Sequence, residues 1–199
     1  MAQATELDPD WIVQRLQRPA PMSTPFVELR DSPLLKAPLR IAGEYRRPDT
    51  ATLVREVRVP YREVTTITAG SGTTPGQARI QRGASTRTVS MARVPQLAAL
   101  QASFGAMLSG DAARIRQHYA MQASGTRQDW RLLLTPTDKG VAAHVRDITL
   151  YGRGAELRCI ETRPAQGNET QRTLLAGTAQ TAGDVQDSTR LTALCRQGR

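Results

Sequence analysis

The chain is poor in the residues that most often carry chemistry. It has two cysteines, Cys159 and Cys195, and two histidines, His118 and His144, in 199 residues. That set is too small and too scattered for a Cys₄ or Cys₂His₂ zinc site, so no metal and no cofactor is expected. Aromatic residues make up 4%, too few for the stacking platforms that hold single-stranded bases. No apolar run approaches the ~20 residues of a membrane-spanning helix. No G-x-S-x-G elbow, Walker loop or dinucleotide fingerprint occurs. Gly70-Ser71-Gly72 is followed by neither a lysine nor a helix start, so it reads as a hairpin tip. Neither histidine lies in a catalytic pattern, and the chain is not expected to be an enzyme.

Arginine is what the chain has in excess. Lys36 and Lys139 are the only lysines, so 25 of the 27 basic residues are Arg, against 18 acidic ones and a net charge of +9. Such a charge fits a polyanion or nucleic-acid partner. The arginines are nevertheless dispersed over every element, as on solvated faces. Apolar residues at 39% and charged residues at 23% match globular usage. Met1 to Leu7 has neither the basic nor the apolar region of a signal peptide. A cytosolic protein and a mature exported chain both fit that start.

Asp8-Pro9-Asp10 opens a helix carrying Trp11, Ile12 and Leu16: Asp8 caps it and Pro9 suits its first position. Prolines 19, 21 and 25 end it. Strand-like runs follow over Phe26–Asp31, Leu39–Arg46, Thr52–Val59, Arg62–Thr68, Ala78–Arg82 and Thr86–Ala92. Leu39, Ile41 and Tyr45 alternate with Arg40, Glu44 and Arg46, the period of a half-buried strand. Val94 to Tyr119 is helical in pattern, with Leu97, Leu100, Phe104, Met107 and Leu108 on one stripe. Asp111 caps a second short helix with Ile115 and Tyr119. Strands resume over Asp129–Thr135, Val141–Tyr151, Glu156–Thr162 and Gln171–Gly177, and Leu191 to Cys195 reads as one helical turn. Short turns between successive strands imply an antiparallel sheet. The whole chain, 1–199, is read as one α+β domain with residues 1–7 as a flexible lead and 178–199 as a C-terminal tail.

Three features leave alternatives open. Glu28, Glu44, Glu56 and Glu63 lie on successive strands beside arginines, which favours solvated cross-strand ion pairs over an acid–base pair. Cys159 and Cys195 are either two buried thiols or, in an exported protein, a disulfide tying the tail to the strand around Cys159. The apolar helix stripe over the sheet is either an ordinary core or the lid of a lipid cavity.

The order of short motifs resembles the LolA family of lipoprotein carriers. Phe26–Leu29, then Leu35, Pro38 and Leu39, then G-E-Y-R-R-P at Gly43–Pro48 are similar to that family's first strands. V-P-Y-R-E at Val59–Glu63 and I-T-A-G at Ile67–Gly70 follow in the same order. D-W-R-L-L-L-T-P at Asp129–Pro136 and the run Ile148–Thr162 resemble later strands. The resemblance spans roughly Trp11 to Gly177. The sequence departs from the family where Ala78–Arg82 is polar and the Gly70–Gly76 tip is long, so it resembles a divergent member.

The resemblance implies a curved antiparallel sheet forming a half-open β-barrel, lidded by short helices on its concave side. It implies a periplasmic carrier of acylated lipoprotein or other amphiphilic lipid cargo. Such a carrier moves cargo from an inner-membrane exporter to an outer-membrane acceptor as a monomer and without nucleic acid. The expected cavity residues are Leu39, Ile41, Tyr45, Leu53, Val57, Leu97, Leu100, Phe104, Met107, Leu132 and Leu150. Arg47, before Pro48, holds the position whose guanidinium bonds lid backbone in the family. The alternatives are a basic polyanion-binding module and a structural or interaction domain that binds no lipid.

Overall fold

The structure, a computed structural model, describes residues 7–30, 34–93 and 105–197. Helix α1 (Pro9–Arg15) leads into six strands: β1 (Met22–Arg30), β2 (Leu39–Arg47), β3 (Thr52–Val59), β4 (Glu63–Thr68), β5 (Gln77–Arg82) and β6 (Ser85–Ser90). Residues 105–109 are helical (α2) and α3 (Ala112–Arg116) follows. Then come β7 (Tyr119–Thr126), β8 (Asp129–Pro136), α4 (Lys139–Ala142), β9 (Val145–Arg153), β10 (Glu156–Pro164) and β11 (Gln171–Leu175). Helices α5 (Ala176–Ala182) and α6 (Ser188–Gln197) close the chain.

All eleven strands join one sheet in the order β6-β5-β4-β3-β2-β1-β11-β10-β9-β8-β7. Every pairing is antiparallel. β6 and β7 are the two edges and do not pair, so the sheet stays open. It is also strongly curved. β4 and β7 lie eight strand positions apart, about 38 Å in a flat sheet, yet Ile67 of β4 and Tyr119 at the start of β7 line the same cavity. Gly43 marks one bend. The β2–β3 register shifts between Ala42 and Gly43, and a Cβ on Gly43 would lie 1.9 Å from the Glu56 carbonyl oxygen. Only glycine lets β3 approach there, and such irregularities sharpen the twist of a strand pair.

Each face has its own core. On the concave face α1, α2 and α3 cover the β7–β9 end: Ile12, Val13 and Leu16 of the first helical segment pack with Ile115, Leu132 and Leu150. Asp8 accepts from the Asp10 amide at 2.9 Å and Asp111 from the Arg114 amide at 2.9 Å, capping α1 and α3. Trp130 lies across β9 against Gly152, where any Cβ would strike the indole at 2.0 Å. Its Nε1 donates to the Gly154 carbonyl at 2.9 Å. Phe26, Ile41, Val57 and Leu175 form a smaller concave cluster under β1–β3.

On the convex face α5 and α6 pack against β1, β10 and β11. Leu191, Leu194 and Cys195 recur at helical spacing and meet Val27, Leu29, Cys159 and Leu174. Cys159 and Cys195 are joined as a disulfide across 36 residues. Glu161 accepts from Arg172 at 2.9 Å and from Arg196 at 3.2 Å, tying α6 to β10 and β11.

Several elements differ from the sequence reading. Tyr119 begins β7 rather than extending a helix, and the strand to Thr126 was not expected. Its small residues Ala120, Ala123, Ser124 and Gly125 have weak strand preference, and register with β8 fixes it. Val141–Tyr151 is divided, because Asp138 caps a turn of helix, α4, before β9 starts at Val145. Gly177 is helical, since the chain turns at Ala176 (φ 49°) into α5. The tail holds two helices on the convex face, so helices cover both faces rather than the concave one alone. Pro25 lies inside β1, at a point where pairing to β11 has not yet begun. That edge-like setting tolerates a strand proline.

Candidate functional site

Alternation and register decide what faces the concave side. Along β1 these are Phe26, Glu28 and Arg30, which lie opposite Leu175, Thr173 and Gln171 of β11. The same face continues through Ile160 and Thr162 of β10 to Leu150 and Ile148 of β9, then to Leu132 and Leu134 of β8. In the other direction Tyr45 of β2 pairs with Arg55 of β3, and Leu53 with Ile67 of β4.

All of these residues except Phe26 line a cavity of about 330 Å³, to which Met107 of α2 and Ile115 of α3 contribute from the helical side. That volume falls within the range of small-molecule sites. Its β8–β9 side is aliphatic: Leu132, Leu134, Ile148 and Leu150. Its β1–β3 side carries charge. Glu28 is fully buried, and its carboxylate accepts from Arg30 Nε at 2.5 Å and from Arg55 Nη2 at 3.2 Å. Arg55 also lies 5.0 Å over the Phe26 ring. Burial lowers the Arg55 pKa, but the Glu28 charge and the partnership with Tyr45 outweigh it and leave the guanidinium more firmly protonated than usual. Burial, then the nearby Glu28 charge, push the Tyr45 hydroxyl above its ordinary pKa.

The acidic residues divide between the faces. Glu28 and Glu63 belong to the concave ladder, where Glu63 accepts from Arg82 at 2.7 Å and lies 4.0 Å from Arg55. Glu44 and Glu56 pair with Arg58 and Arg46 on the convex side. The expectation of solvated pairs fits the second set. It fails for Glu28, because curvature and neighbouring strands enclose it.

Among the sequence candidates, Tyr45, Leu53, Met107, Leu132 and Leu150 line the cavity. Ile41 and Val57 face the same side but are buried in the β1–β3 cluster, with Leu39 half-buried at its margin. Leu97, Leu100 and Phe104 lie outside the described residues. Arg47 is buried, and its Nη1 donates to the Arg18 carbonyl at 2.9 Å, in the segment joining α1 to β1. The Arg18 amide in turn donates to the Leu108 carbonyl of α2 at 2.9 Å. Arg47 is thus linked through one residue to the helix whose Met107 covers the cavity. Ile67, Ile115, Leu134, Ile148 and Ile160 also line the wall. Ile148 is two residues from Leu150 and so shares its face, whereas Ile160 meets Leu150 only through the β9–β10 register, and nothing in the sequence brings β4 to β8.

Described residues contain no group of three or more His, Cys, Asp or Glu able to hold a metal ion. No helix among them is long and apolar enough to cross a membrane.

The open antiparallel half-barrel folds round a cavity with an aliphatic side, and short helices lie over part of its concave face, which is the architecture of a carrier fold. A family model described as outer membrane lipoprotein carrier protein LolA-like matches residues 1–198, and the chain belongs to that family. Two solved structures are similar over most of their length. The LolA superfamily protein NE2245 from Nitrosomonas europaea is 10% identical, covering 87% of this chain and 92% of that one, with a TM-score of 0.34. LprF from Mycobacterium bovis is 12% identical, covering 86% and 94%, with a TM-score of 0.38. No curated protein matches the chain.

Proposed function

We propose that this protein is a periplasmic carrier that encloses the acyl chains of lipoproteins or other amphiphilic lipids and shuttles them toward the outer membrane. The observation that carries this reading is the cavity of about 330 Å³ inside an open sheet, aliphatic along its β8–β9 side. An acyl chain gains about 0.8 kcal/mol per buried CH₂, so long chains leave a membrane only when something covers them. Release then needs a cover that opens at little cost, because cargo shifts a closed–open equilibrium only by its differential affinity. Arg47 serves as the gate: one hydrogen bond to the Arg18 carbonyl steadies the segment behind the lid. No covalent step is required. An exporter supplies the cargo and an acceptor takes it. The Cys159–Cys195 disulfide suits an oxidising compartment.

The test is binding of a long-chain acyl probe with a solvatochromic fluorophore, with native mass spectrometry of freshly purified protein alongside. Leu53 and Ile67 are register partners in the cavity wall outside the three core clusters. Leu53→Gln with Ile67→Gln should therefore weaken the probe about tenfold or more while the fold survives. Unchanged probe binding, together with no co-purified lipid, would overturn the reading.

A further inference from the structure

We infer that the cavity selects amphiphiles with an anionic oxyacid head, a carboxylate or a phosphate, held by the Arg30 guanidinium at its polar side. The inference rests on the carrier reading and specifies the cargo that reading leaves open.

The concave rows change polarity across the sheet. From Arg30 the register runs through Gln171 and Thr162 to Ile148 and Leu134. The next row runs from Glu28 through Thr173 and Ile160 to Leu150 and Leu132. All of these residues line the one cavity. A ligand lying along the first row has its tail against aliphatic side chains under α2 and α3, and its head beside Arg30, Gln171 and Thr162, which can donate hydrogen bonds, whereas the second row ends on the Glu28 carboxylate, an acceptor. An amphiphile therefore has one favoured orientation here.

Charge decides which head. Among the described lining residues the acidic and basic side chains are Glu28, Arg30 and Arg55. Two guanidiniums face one carboxylate, so the described part of the wall carries one basic side chain in excess. Arg55 is engaged by Glu28 and Tyr45 and lies over the Phe26 ring. Glu63 does not offset the excess, because it is held by two bonds from Arg82. Arg30 spends only its Nε on Glu28. Its two terminal nitrogens have no partner among the described residues, and its side chain is 46% exposed. A guanidinium with its terminal edge open matches a carboxylate or phosphate in a bidentate pair. A neutral head, such as an alcohol or the amide of an N-acylated residue, offers that edge no charge.

The experiment measures the affinity of the full-length protein for dodecanoate, dodecyl phosphate and dodecanol, which share a twelve-carbon chain. The anionic ligands should bind at least about tenfold more tightly than the alcohol. Arg30→Gln should reduce that preference to less than about threefold while leaving dodecanol affinity unchanged, and Arg30→Lys should restore part of it. Whichever anion binds more tightly identifies the head as carboxylate or phosphate. Equal wild-type affinity for alcohol and anions overturns the inference and leaves the carrier reading standing. Equal weakening of all three ligands by Arg30→Gln also overturns it, since Arg30 would then act on the fold rather than on the head. Failure of all three to bind overturns the carrier reading as well.

Discussion

Removing the disulfide tests how the C-terminal helices are held. Cys159 and Cys195 are both fully buried on the convex face, and their cross-link closes 36 residues. In the chain-entropy treatment a loop of that length restricts the unfolded chain by about 4 kcal/mol at 25 °C. Replacing both with Ala should cost about that much. One kcal/mol moves the midpoint of a chain of this size by roughly 2–4 °C, so the double variant should melt about 8–16 °C lower. The folded state should change little. Leu191 and Leu194 still bury against the sheet, and Arg196 still pairs with Glu161. Far-ultraviolet circular dichroism at 25 °C should therefore match the parent, while calorimetry shows the lower midpoint. A double variant melting within about 3 °C of the parent would refute the reasoning. A variant that loses helix signal at 25 °C would also refute it, because α6 would then depend on the cross-link alone.

Other expectations follow from single contacts. Glu28→Gln removes the counter-charge of Arg55 and one bond to half-exposed Arg30, so urea unfolding should show a loss of about 2–3 kcal/mol, and a loss below about 0.5 would argue that the buried carboxylate is dispensable. Arg47→Leu leaves the Arg18 carbonyl without its donor; stopped-flow transfer of a bound acyl probe to vesicles should accelerate several-fold while the melting midpoint falls only slightly, and parent-like transfer rates would exclude a gate. Tyr45 has its pKa raised by burial, so its contribution is complete below the unfolded tyrosine value of about 10 and is lost as pH rises through the higher folded value. Tyr45→Phe should accordingly flatten part of the stability loss above about pH 10, and an alkaline stability profile identical to the parent's would show that Tyr45 does not report that burial.

Much of the local structure is legible in the chain. Asp8 and Asp111 announce their helices because a carboxylate one residue outside a helix answers the amides that the helix leaves open. Period-two alternation puts Leu39, Ile41 and Tyr45 on one face of β2, and short turns between strands imply antiparallel pairing. The limits are equally physical. β7 is hidden because Ala120, Ala123, Ser124 and Gly125 prefer no strand, and only its register with β8 makes one. The helices of the tail lack a strong signal before Leu191, so their place on the convex face rests on packing against Val27 and Leu174.

The sequence by itself determined which side chains share a face, since a strand's alternation depends only on its own residues. Tertiary structure alone decided which faces meet. Curvature is a property of the whole sheet, set where Gly43 lets β3 approach and where the register shifts. That curvature brings Ile67 to the same cavity as Tyr119 and buries Glu28 between two arginines. A row of Glu and Arg that alternation alone reads as solvated thus becomes, at Glu28, the charged wall of an apolar cavity.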